Sequence, residues 1–84
     1  MTETITNYPV VGDMVDIQVK SNDYLGYRVS MLETGLDAFI SIAHAHRRRN
    51  QPPLDKHIIH KAEVLRHHIC GVEHHYDLTM LTLT

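Results

Sequence analysis

The stretch LDKHIIHKAEVLRHHIC, residues 54–70, decides the fold. Leu54, Ile58, Ala62, Leu65 and Ile69 recur near helical spacing, and Pro53 before them suits the first turn of a helix. The same stretch from Val64 to Cys70 also reads as a strand. A helix here makes the chain a mixed α and β domain, whereas a strand makes it all-β. Periodicity alone favours the helix.

Upstream the pattern has a period of two. Val15, Ile17 and Val19 alternate with Asp16, Gln18 and Lys20, which marks a half-buried strand after the turn signal Gly12-Asp13. Ser21-Asn22-Asp23 turns the chain. Tyr27, Val29 and Met31 then alternate with Arg28 and Ser30. Glu33-Thr34-Gly35 is a tight connection, and Leu36, Ala38, Ile40 and Ile42 alternate with Asp37, Phe39 and Ser41. Three strands joined by short turns predict an antiparallel meander. Ala43 to Pro53 is irregular, polar and basic, and a loop of that length in a small domain is commonly functional. Downstream, Tyr76, Leu78 and Met80 alternate with Asp77 and Thr79 as a final strand, with Leu81 and Leu83 following past a bulge. Residues 1–9 form an extended lead-in ending at Tyr8-Pro9. No internal repeat is visible.

At 84 residues the chain is expected to be one domain with a small core. A composition of 43% hydrophobic and 21% charged residues is that of a soluble globular fold. No apolar run approaches the length a membrane helix needs, so no membrane partner is expected. The first residues lack the basic and apolar regions of a secretory signal. The single Cys70 excludes an internal disulfide and fits a reducing, cytoplasmic setting. A net charge of −2 argues against a generic binder of phosphate backbones. Charging all eight histidines would move it to +6, so behaviour in acid should differ from behaviour at neutrality.

Read in order, several pieces resemble the N-terminal domain of the alpha subunit of eukaryotic translation initiation factor 2. They are Tyr8-Pro9, Gly12-Asp13-Met14-Val15, Gly26, Val29-Ser30-Met31-Leu32-Glu33, Leu36-Asp37-Ala38-Phe39-Ile40, Arg47-Arg48-Arg49, Ile59-His60-Lys61-Ala62-Glu63 and Tyr76-Asp77-Leu78-Thr79. Together they cover nearly the whole chain. The resemblance implies an all-β, five-stranded OB-fold barrel of the S1 type, as a single domain over residues 1–84. A long loop and a short helix would separate strands three and four, the helix falling around residues 54–60 and residues 62–70 forming strand four. It thus overrides the local helical period.

In that factor a serine precedes the arginine triplet and is phosphorylated by stress-activated kinases, among them the antiviral RNA-dependent one. Here the matching position is His46. Poxviruses encode free-standing domains of about this length that imitate the factor, lack the serine and act as pseudosubstrates. The resemblance therefore implies a non-enzymatic inhibitor of that kinase, a cytoplasmic monomer without cofactor, acting in host cytoplasm if viral. Its docking residues would be His46, Arg47, Arg48, Arg49, Arg28, Tyr76 and Asp77. An imidazole cannot become the phospho-ester product of transfer to a hydroxyl, while the arginines can still meet acidic groups near a kinase cleft. The chain departs from the family in a shorter turn before Tyr76. It also has Arg28, beside Tyr27, where the family exposes an aromatic on strand two.

Other chemistries find less support. An OB barrel also binds single-stranded RNA through aromatics and basic grooves, which would draw on Tyr24, Tyr27, Arg28, Arg47 and Arg48. Core or rim packing is the commoner role for such tyrosines. Histidine pairs at His44 and His46, at His57 and His60, and at His74 and His75 near Cys70 do not close a metal pattern of three or four ligands, so no metal is expected. The histidines leave a third reading open, a pH-responsive or metal-associated structural protein. Cys70, inside a predicted strand, reads as a buried small hydrophobe rather than a nucleophile. No phosphate loop or paired-carboxylate motif appears.

Overall fold

Alternating burial builds the barrel. In the computed structural model, which describes residues 8–46 and 51–81, β1 spans Met14–Asn22, β2 Gly26–Met31 and β3 Asp37–Ser41. A single helical turn, α1, covers Ile42–Ala45, and β4, Ile59–Cys70, and β5, Glu73–Thr79, complete the fold. The strands close in the order β1-β2-β3-β5-β4. The domain is thus an all-β OB-type barrel with a long loop and a short helix between β3 and β4. No helix among the described residues is long and apolar enough to cross a membrane.

Strands β1, β2 and β3 form the expected antiparallel meander, with Ile17 opposite Met31, Val19 opposite Val29, and Val29 opposite Ala38. β4 pairs antiparallel with both β1 and β5. The barrel closes where β3 meets β5 in parallel at Phe39 and Asp77. Inside lie Ile17, Val29, Met31, Ile40, Val64 and Leu78, together with the rings of Tyr27 and Tyr76. Two bulges, between Val19 and Ser21 and between Val64 and Arg66, interrupt the ladders. Such bulges bend and twist strands, which helps a five-stranded sheet to close.

The helix predicted by periodicity over residues 54–69 is absent. Leu54 to Ile58 is loop and turn, and β4 runs unbroken through Ala62 and Val64, which are buried against β1 and β5. The short helix expected around residues 54–60 is also absent, and the helical turn lies instead at Ile42–Ala45. Ile42 therefore leaves the alternation of β3 to begin α1. At the other end β5 starts at Glu73 and stops at Thr79, before Met80. Cys70 is exposed rather than buried, because the β4–β5 hairpin runs past the barrel wall and carries it near the tip. Gly71 (φ 64), followed by Val72, makes the two-residue reversal of a type II′ turn.

Candidate interaction surface

Two regions carry the residues singled out by the sequence. The first is the stem of the loop after α1. His46 caps α1, its N–H donating to the Ile42 carbonyl at 3.0 Å. The Tyr27 ring is 1% exposed, and its hydroxyl reaches out of the core to both ends of the loop. It lies 2.7 Å from His46 Nε2 and accepts the Leu54 N–H at 3.1 Å. The hydroxyl can donate to Nε2 or accept from it, according to the His46 tautomer, while it accepts from Leu54. Gln51 Nε2 adds a bond to the Ala45 carbonyl at 3.5 Å. On the barrel side, the Met80 N–H donates to the His44 carbonyl and His44 Nδ1 meets the Thr79 hydroxyl at 3.1 Å. The loop thus springs from a stem fastened to β2 and to the end of β5. Arg47, Arg48 and Arg49 lie outside the described residues.

The Tyr27 clamp yields a direct expectation. Tyr27→Phe keeps the ring and removes both bonds, at a cost on the order of 1–2 kcal/mol. Amide exchange at Leu54 should accelerate while the exchange of β1 core amides changes little. Unaltered protection of Leu54 would show that the hydroxyl does not hold the loop.

The second region is the outer face of β2, β3 and β5. Arg28 sits opposite Phe39, and Phe39 opposite Asp77, so the three form a row across three strands. Arg28 is exposed, while Phe39 and Asp77 are half-buried. Lys20, thrown outward at the β1 bulge, pairs with Asp37 at 3.0 Å. An open groove of about 860 Å³ is lined by Lys20, Arg28, Phe39, His75, Asp77 and Tyr8, among others.

Arg28 and Asp77 therefore share one surface, whereas His46 belongs to the loop stem after β3. Two expectations are corrected. Tyr76 is buried, its ring against His67 and its hydroxyl donating to the Pro9 carbonyl at 3.0 Å, so it offers no docking face. Burial, with Tyr8 and Asp13 nearby, pushes that hydroxyl above its ordinary range. Tyr27 is likewise internal and cannot stack on a base. Tyr24, by contrast, is 89% exposed at the β1–β2 turn. Among the described residues no group of three or more His, Cys, Asp or Glu converges on a metal position.

Sequence reasoning passed over Phe39, Lys20 and Tyr8. Phe39 had left a signal, being an aromatic in the solvent-facing phase of the third strand. No protein-family model matches this chain, and no curated protein matches it either. What fold and surface define together is a class, a closed OB-type barrel with a clamped basic loop after β3 and a mixed-charge groove across β2, β3 and β5.

Proposed function

We propose that the chain is a non-enzymatic imitator of the initiation factor's N-terminal domain, acting in the cytoplasm as a pseudosubstrate of the RNA-dependent kinase. The observation that carries this reading is the stem. In a closed five-stranded barrel, His46 caps the helical turn after β3, the arginine triplet follows it in sequence, and an imidazole thus stands where the factor has a hydroxyl. The imidazole is itself bound to Tyr27, so it is held in place. A kinase that engages the arginines through its acidic groups finds no acceptor for the transferred phosphoryl group. Arg28 and Asp77 supply a second patch on the barrel wall.

One observation favours a second reading. Arg28 and Phe39 are neighbours on the β2–β3 face, the face with which OB folds bind oligonucleotides, and Tyr24 stands exposed on the adjoining turn. A single comparative titration separates the two. The full chain is titrated with the isolated kinase catalytic domain and, separately, with a short single-stranded RNA at two salt concentrations. The pseudosubstrate reading expects saturable kinase binding in the micromolar range of transient interfaces and a flat RNA signal even at low salt. RNA binding that weakens steeply with salt, with no kinase binding, overturns it in favour of the second.

A further inference from the structure

The β4–β5 hairpin carries four histidines that neither reading uses. His67 and His68 precede the turn at Gly71, and His74 and His75 follow it. His67 and His74 fall on one face, with Nε2 of the first 2.8 Å from Nδ1 of the second. Their ring centroids are 5.1 Å apart and their planes differ by 21°. That separation is the nitrogen–nitrogen distance plus the two ring radii, so the nitrogens meet head-on. The arrangement is an N–H···N hydrogen bond. A chelate would need both lone pairs to converge on a third point. Tyr8 covers His74 at 4.1 Å with planes 2° apart, and Tyr76 covers His67 at 4.2 Å. The Tyr76 hydroxyl holds the Pro9 carbonyl. Tyr8-Pro9 is thereby fastened to the hairpin at two points.

Proton counting sets what this pair can do. With both rings neutral, one N–H donates and the other nitrogen accepts. One added proton leaves a charge-assisted bond under tyrosine faces that favour a cation. A second added proton leaves two N–H donors head to head and two like charges in contact. We propose that His67 and His74 form a proton-operated latch, which holds Tyr8-Pro9 against the hairpin and releases it when the pair takes up its second proton. Tyr8 also lines the groove beside Asp77, so release removes one wall of that groove.

The groups around the pair come from every neighbouring element. They are His68 on β4, Tyr76 on β5 and Tyr8 on the lead-in, with Asp13 of the turn before β1 acting on Tyr76. On the opposite face Glu73 is 3.5 Å from His75, and Arg66 sits across from Asp77. From β3, Asp37 is engaged by Lys20. Burial, then His74 and His68, hold His67 below the ordinary imidazole value. The folded chain therefore binds fewer protons there than the unfolded one. This contribution to stability is present above about pH 6.5 and is lost as pH falls from there through the lower folded value.

The test is an NMR titration of the full chain, labelled at its histidine rings, from about pH 7.5 to about pH 5. The expected result is loss of the Tyr8–His74 ring contact as the second ring charges. His67→Gln, which cannot titrate, should keep Tyr8 docked throughout, and His68→Gln, which leaves the pair intact, should still release it. A Tyr8–His74 contact that survives with both rings charged overturns the latch, and so does release of His67→Gln at the wild-type pH. Should His67→Gln fail to fold, the wild-type titration decides alone.

Discussion

His46→Ser should convert the chain from a docked non-acceptor into a phosphate acceptor. The serine would stand at the C-cap of α1, followed directly by the arginines, and it restores the one group the transfer needs. A kinase positions the acceptor hydroxyl against a catalytic-loop aspartate, and nearly all of its catalysis is positioning and charge stabilisation. A hydroxyl in a correctly docked loop therefore gains the full effect, while the imidazole gains none of it as an ester. The substitution also removes the His46–Tyr27 bond of 2.7 Å, while the Leu54 N–H bond to the Tyr27 hydroxyl remains. Phosphate incorporation at residue 46 should exceed the wild-type background by on the order of a hundredfold or more. It is measured by label transfer from ATP followed by peptide mapping. A variant that still binds the kinase yet takes up no phosphate would show that the loop is misplaced in the complex.

Gly26→Ala should be the most damaging small substitution in the barrel. Gly26 opens β2 opposite Ser41, where β3 crosses so closely that a Cβ would run into the Ile40 carbonyl oxygen. It would also come within 2.8 Å of the Ser41 Cα and the Phe39 Cζ. The phenyl ring can swing aside, but the two backbone atoms cannot. β3 is pinned from its other side by β5 at Phe39 and beyond its end by the Ile42 N–H donating to the Leu25 carbonyl at 3.0 Å. Relief therefore requires unpairing this end of β2 from β3. Overpacking costs typically about 1–3 kcal/mol, and immovable backbone puts this site at about 3 kcal/mol or more. That is a large share of the roughly 5–15 kcal/mol that holds a domain together. A urea midpoint close to wild type would mean that the strands separate more easily than their pairing implies.

The three-strand meander was legible because its core positions repeat at every second residue without interruption. β4 was not. Ala62 and Val64 are its two buried positions, the bulge before Arg66 shifts the phase, and Ile59 and Ile69 remain exposed on either side. Its apolar residues thus come from several environments, and their spacing imitated a helix by coincidence. The four-residue α1 was hidden because Ile42 continues the alternation of β3. The arginine loop was visible as a basic segment. Its fastening was not, since Tyr27 meets Leu54 from 27 residues away. The Arg28–Phe39–Asp77 row was equally out of reach, because it exists only once β3 and β5 close in parallel. His74 and His75 were read as a pair from the sequence, whereas His67 and His68 before Gly71 were passed over. The head-on geometry of His67 and His74 needed the hairpin register.

Kinetics of factor phosphorylation test the central claim most directly. The isolated kinase catalytic domain phosphorylates the initiation factor's alpha subunit while the concentration of this chain is raised. Competition by a pseudosubstrate predicts an apparent KM for the factor that climbs in proportion to the added chain, with kcat and the KM for ATP unchanged. An unaltered rate at about 50 μM chain, far above a micromolar Kd, or inhibition relieved by ATP and not by the factor, would contradict it.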